Sequence, residues 1–238
     1  MKRDLIRSLL SGAAILLVAS GLATASTIVV DNFSANPVDM FVKAPGTLSI
    51  TQTGISTSNT IGGSRILSLT VLGRQTDSIV VDTSYKDLSM NIGSGDQGTG
   101  IIRYDNNGTS LGEHFYDLLG GGANAATSYF RAIVKFSDHQ LQFTTTFTDS
   151  ANHNAAFTSS LLQGSSVILQ SFDSFSNSAA VNFNDIRSIT IRLDGPQAQD
   201  VTIGLLEVTN EVPEPRTMAL FGSALVGLGL IRRKRNRP

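Results

Sequence analysis

The sequence contains no cysteine and no tryptophan. Without cysteine there are no disulfides, no thiolate nucleophile and no thiolate metal ligand. A domain of this kind rests on its hydrophobic core alone. Without tryptophan, four tyrosines are the only amphipathic rings left for stacking on a sugar. Charge is also sparse, at 16% of residues, and it is unevenly placed. Residues 26–211 hold 9 basic and 17 acidic side chains, a formal charge of −8, because the other basic residues lie at the two ends. An acidic domain excludes nucleic acid as a partner and disfavours anionic lipid. Acidity favours solubility and divalent cations. Finally, the middle of the chain lacks any long run with helical spacing of apolar residues. Parallel α/β folds, which need helices between strands, are therefore excluded.

What the middle does contain is alternation. Phe130, Ala132, Val134 and Phe136 alternate with Tyr129, Arg131, Ile133 and Lys135. Leu141, Phe143, Thr145 and Phe147 alternate with Gln142, Thr144, Thr146 and Thr148. Period two over eight residues predicts half-buried antiparallel strands, with Ser137–Gln140 as a hairpin turn between them. The same period marks Leu67, Leu69 and Val71, then Ile189, Ile191 and Leu193, then Val201, Ile203 and Leu205. Thr27–Phe33, Thr47–Thr53, Ser78–Tyr85, Leu88–Ile92, Thr99–Asp105 and Ser166–Phe172 add further strands, rich in Thr, Val and Ile. Short helical turns fit near Glu113–Leu119 and Asn184–Ile186. Asn177–Asp185 reads as a polar loop packed by Phe175 and Phe183. About eleven short strands predict an all-β fold, a single antiparallel two-sheet β-sandwich over residues 26–211.

The ends read differently. Lys2, Arg3 and Arg7 precede an apolar stretch from Leu9 to Leu22, and Ala23-Thr24-Ala25 follows. This is the pattern of a secretory signal peptide over 1–25, cleaved between Ala25 and Ser26. It implies the Sec translocon and signal peptidase as partners. At the other end, Pro213 and Pro215 flank Glu214 and hold the backbone extended and unable to join a sheet. Fifteen uncharged residues, Thr217 to Ile231, then span about 22 Å as a helix, short for a membrane crossing. Arg232, Arg233, Lys234 and Arg235 head a basic end over 232–238 that stops translocation and stays in the cytoplasm.

This tail, residues 212–238, resembles the PEP-CTERM sorting signal. The resemblance rests on the motif Pro213-Glu214-Pro215, the short helix 217–231 and the basic end. Arg216 and Met218 depart from the commonest pattern, which leaves the cleavage point open. The resemblance implies export by a Gram-negative bacterium and transient anchoring in the inner membrane. It also implies processing near the motif by an exosortase-type membrane protease, then delivery to the cell surface or extracellular matrix. The order of features in the middle resembles the jelly-roll sandwiches of carbohydrate-binding modules. The Asp31-Asn32-Phe33 start, Gly62-Gly63-Ser64-Arg65, Tyr104-Asp105 and the closing stretches Ile186–Leu193 and Asp200–Val208 carry that likeness.

No constellation points to catalysis. Gly93-Ser94-Gly95-Asp96-Gln97-Gly98 matches GxGxxG, but the strand Ile101–Tyr104 follows it where a dinucleotide site needs a helix. His114, His139 and His153 lack ligand spacing. No Gly-x-Ser-x-Gly elbow occurs. Residues 26–211 hold three glutamates, Glu113, Glu207 and Glu211; the last abuts the tail, and no spacing rule supports Glu113 with Glu207 as a glycoside-hydrolysing pair. Asp31, Asp194 and Asp200 are candidates for structural calcium. Tyr104, Asp105 and Tyr129 are candidate ligand contacts for a sugar. The expectation is an exported, non-catalytic envelope or matrix protein without a cofactor. The alternative is a carbohydrate-binding or carbohydrate-active protein that uses the same route.

Overall fold

The computed structural model describes residues 27–43, 45–73, 76–105, 117–119 and 125–210. The signal peptide, the sorting motif with its helix and basic end, and Glu113 and His114 lie outside the described residues. Among the described residues, no helix is long and apolar enough to cross a membrane.

The compact unit Ser26–Glu211 is an antiparallel two-sheet β-sandwich, jelly-roll-like in form. The seven-stranded sheet holds β1 (Thr27–Asp31), β2 (Val38–Val42), β5 (Asp77–Asp82), β6 (Asp87–Asn91), β8 (Tyr129–Ser137), β11 (Ser166–Ser171) and β13 (Asp200–Thr209). Its order is β11-β8-β13-β6-β5-β2, with β1 paired to β13 off that path. The six-stranded sheet holds β3 (Gly46–Gln52), β4 (Arg65–Val71), β7 (Gly98–Tyr104), β9 (Leu141–Asp149), β10 (Asn154–Leu161) and β12 (Ile186–Gly195). Its order is β10-β9-β12-β7-β4-β3. Among the described residues, the helical turns are three-residue 3-10 turns at Ile61–Gly63, Phe172–Ser174 and Ser178–Ala180, and Asn184–Ile186 is a turn running into β12.

Alternation sets the core. Leu67, Leu69 and Val71 of β4 point inward, as do Phe143 and Phe147 of β9 and Ile189, Ile191 and Leu193 of β12. They meet Ile79, Val81, Leu88, Met90, Phe130, Val134 and Ile203 from the other sheet. Close approach requires glycine at one central point: a Cβ on Gly100 of β7 would sit 2.6 Å from the Met90 sulfur. At one margin Phe147 is ringed by Phe130, Phe172, Phe175 and Phe183, with centroids 5.1–5.9 Å away. Phe172 stacks on Phe183 at 4.5 Å. These rings anchor the polar segment 177–185, as the sequence predicts.

Four features differ from the expectation. β8 and β9 do not form a hairpin. They lie in different sheets, so residues 138–140 carry the chain across the sandwich. Second, the alternation of β8 breaks at a bulge. Val134 pairs with Ile203 and Phe136 with Thr202, which makes Lys135 the extra residue. Phe136 consequently turns outward, 48% exposed, and Ser137 turns in. A matching irregularity at Gly204 of β13 puts Leu206, not Leu205, in the core. The Lys135 stem crosses that glycine, where a Cβ would lie 2.4 Å from Cε. Its ammonium donates to the Tyr85 carbonyl (2.7 Å) and the Asp87 carboxylate (3.2 Å). Third, β2 has no sequence forecast, because Asp39 is the second of its only five residues. Fourth, β10 is built largely from Ala and Ser, with only Ala155 and Leu161 buried, so it carries little β signal.

Candidate functional site

Among the described residues, one ion pair is fully buried, and a cluster of hydrogen bonds surrounds it. Alternation along β4 turns Arg65 to the same face as Leu67, and an inward guanidinium demands partners. Asp31, ending β1, supplies both carboxylate oxygens, 3.0 and 2.8 Å from Nη1. Gln52 accepts from Nε at 2.6 Å, and the carbonyls of Ala35 and Asn36 accept from Nη2 at 2.7 and 3.1 Å. The Phe33 amide, the Thr60 hydroxyl and the Tyr104 hydroxyl all donate to Asp31, at 2.8, 3.2 and 3.1 Å. Burial pushes the Asp31 carboxyl up from its ordinary value, and Arg65 opposes that rise. Burial likewise drives the Tyr104 hydroxyl well above its usual range. This cluster ties β1 and the irregular segments after it to the sandwich.

That geometry corrects two expectations. Tyr104 is wholly enclosed and offers no ring to a ligand. Asp31 spends both oxygens on protein donors, and it does not join Asp194 and Asp200. Asp194 accepts from Thr99 at 2.8 Å and from Arg192 at 2.6 Å. Burial pushes its carboxyl up, but those two partners outweigh this and hold it below the usual range. Asp200 is raised by burial and by Asp138, with His139 opposing. Among the described residues, no group of three His, Asp or Glu side chains is placed to hold a metal ion. Asp105 is buried and ion-paired with Arg103 at 2.6 Å. Tyr129 is half-buried on the outer face of the seven-stranded sheet, paired with Ser171 and Thr209.

Other titratable groups are also engaged locally. Asp149 accepts the amides of His153 (2.8 Å) and Asn182 (3.1 Å) and contacts the His153 ring at 3.0 Å. Burial raises its carboxyl, but these partners outweigh burial and leave it below its ordinary value. His139 lies beside Asp138 at 3.1 Å. Glu207 is ion-paired with Arg131. The glycine-rich segment is a loop between β6 and β7 up to Gln97, and its last glycine, Gly98, opens β7 as a strand. Its Gly93 amide donates to buried Asp77 at 2.7 Å. Burial raises the Asp77 carboxyl, the Gly93 amide lowers it and Asp96 raises it further.

The outer faces of the two sheets supply the surfaces a partner can meet. On the six-stranded sheet, register lines up Thr47, Thr70, Thr99, Asp194, Gln142 and Ser160 in one row across all strands. The next row is Ser49, Ser68, Ile101, Arg192, Thr144 and Thr158. Hydroxyls bond across strands at Thr47–Thr70 (2.8 Å), Ser49–Ser68 (2.6 Å) and Thr144–Thr158 (3.0 Å). This gives a hydroxyl-rich surface with Arg103 and Arg192 upon it. Sequence reading missed it because each Thr or Ser marks only the outer half of one strand, and the rows exist only once register is known. An open seam of about 460 Å³ lies between β10 and β11, lined in part by Phe157, Leu161 and Ile168.

Comparison with known proteins finds the PEP-CTERM protein-sorting motif at residues 211–235. No curated protein matches the chain. Among solved structures, it is similar to the family 11 carbohydrate-binding module of cellulosomal cellulase Lic26A-Cel5E of Clostridium thermocellum. That match has 11% identity and a TM-score of 0.39, covering 78% of this chain and 95% of the other. A family 29 carbohydrate-binding module complexed with mannohexaose matches at 9% identity and TM-score 0.37, covering 79% and 94%. An exo-β-agarase matches at 11% identity and TM-score 0.42, covering 79% of this chain and 25% of its own. The chain thus carries a PEP-CTERM sorting motif next to a β-sandwich unit.

Proposed function

We propose that this chain is an exported, exosortase-processed, non-catalytic β-sandwich of the cell envelope or extracellular polysaccharide matrix. The observation that carries the reading is the sorting motif over residues 211–235. In this reading the Sec translocon and signal peptidase handle the leader, and an exosortase-type protease handles the tail after a transient stay in the inner membrane. The non-catalytic part is supported by three of the buried carboxylates. Asp31, Asp149 and Glu207 are spent on Arg65, on His153 and Asn182, and on Arg131. A reacting acid or base must reach its substrate. Deleting residues 213–238 tests the sorting role by fractionation of membrane, surface and medium. The truncated protein is expected to leave the surface fraction, and unaltered surface delivery would overturn the proposal.

One observation favours a second reading. The hydroxyl rows of the six-stranded sheet, with Arg103 and Arg192, present hydrogen-bonding groups at regular spacing to an extended sugar chain. Glycan-array binding by the exported protein, reduced at least tenfold in Arg103→Ala and Arg192→Ala, would support it. Binding that is absent, or indifferent to both changes, would exclude this face.

A further inference from the structure

Among the described residues, the six-strand path of each sheet ends on two strands with no further strand beside them, and these edges are unusually bare. β3, β10 and β11 contain no charged residue, and β2 contains only Asp39. Sandwich edges are normally guarded against pairing by charge, proline or bulges. Five of the eight large apolar side chains that remain exposed among the described residues lie at these edges, the others being Leu72, Tyr85 and Phe136. Phe41 lies on β2, Leu48 on β3, Val167 and Leu169 on β11, and Leu162 in the link between β10 and β11.

Topology makes the two sides complementary. β2 and β3 are joined by residues 43–45 on one side of the sandwich, and β10 and β11 by residues 162–165 on the other. From edge to edge each sheet's path has six strands, and every neighbouring pair is antiparallel. An even count means that the two edges of a sheet run in opposite directions. A second copy displaced sideways without reversal therefore brings its β3 antiparallel to β10 and its β2 antiparallel to β11, extending both sheets at once. Ile50 packs against the core on the β2/β3 side, and Phe157 and Ile168 line the seam on the other. Ser176 already bonds Ala156 on the outer side of β10, and among the described residues Thr158–Leu161 have no backbone partner there. Pairing β10 with itself would set that covered half against the free half of its mate, whereas β3 brings no such cover.

We propose that this sandwich assembles head-to-tail with further copies of itself through its edges. A heterologous contact of this kind does not close, and sheet twist turns the row into a helical filament. The test is sedimentation velocity with electron microscopy on the exported protein over a concentration series. Unbranched filaments that lengthen with concentration are expected. Leu48→Lys and Val167→Lys each place a charge on one edge, at positions 41% and 60% exposed, and each alone should remain monomeric. Mixed, they should form a one-to-one dimer that grows no further, because each variant keeps one intact edge. Thr158→Lys, on exposed β10, serves in place of Val167→Lys if that variant does not fold. A wild-type protein that stays monomeric at all concentrations, a closed dimer, or variants that fail to pair on mixing would overturn the proposal.

Discussion

Two clusters fasten irregular segments to this sandwich, and they do it by opposite chemistry. The Asp31–Arg65–Tyr104 cluster holds β1 and the turns after it with one buried ion pair and directed hydrogen bonds. The Phe147 cluster holds the segment 172–185 with interlocking rings. An aromatic cluster loses stability in proportion to what is removed. A buried pair fails abruptly when one member goes, because the other is left charged and unsatisfied. The ionic device thus specifies one register for the start of the sandwich. The aromatic one tolerates approximation.

The largest effects should separate the two chemistries. Arg65→Met leaves the Asp31 charge stranded and should cost about 3–5 kcal/mol in urea unfolding, while Asp31→Leu combined with Arg65→Met should recover most of that loss. Phe147→Ala should cost a similar amount, about 3–5 kcal/mol, but no partner change should rescue it. If the double replacement at the ionic cluster were as harmful as Arg65→Met alone, the contrast would collapse. Asp149, which caps two amides beside the aromatic cluster, comes next. Asp149→Ala should cost about 1–3 kcal/mol. Because its folded pKa is depressed, that contribution is present above the unfolded value and is lost as pH falls through the folded one. The variant's stability should therefore depend less on acid pH than the wild type's. Tyr104→Phe removes one hydrogen bond to Asp31 and should cost about 1 kcal/mol.

Asp77 should behave in the opposite sense. Its raised folded pKa makes its contribution full below the unfolded value, and stability is lost as pH rises through the folded one. Asn at this position keeps an acceptor for the Gly93 amide and carries no charge to bury. Asp77→Asn should raise the melting temperature at pH 7 by a few degrees and leave it nearly unchanged near pH 3.

Most strands were legible because inward Leu, Ile, Val and Phe alternate with Thr and Ser, as in Leu67–Val71 and Leu141–Phe147. Sheet membership was not legible. The link 138–140 is as short as a hairpin turn, yet it crosses between sheets, and only the bulge at Lys135 shows how β8 leaves its register. Arg65 could have been read from its parity with Leu67, since an inward arginine requires an acid. Finding that acid, Asp31, depends on a contact 34 residues away in sequence. Tyr104 shares its parity with Ile102, and the same rule places it in the core and away from solvent. The hydroxyl rows and the bare edges depend on strand order, which no local pattern encodes.

Under the proposed function, the tail of this chain is a sorting signal that is cut after export. Intact-mass measurement of the protein recovered from the cell surface or medium tests it most directly. The account predicts a species that begins at Ser26 and lacks Ile231 and the basic end. A mature protein that still carries residues 217–238 would contradict it.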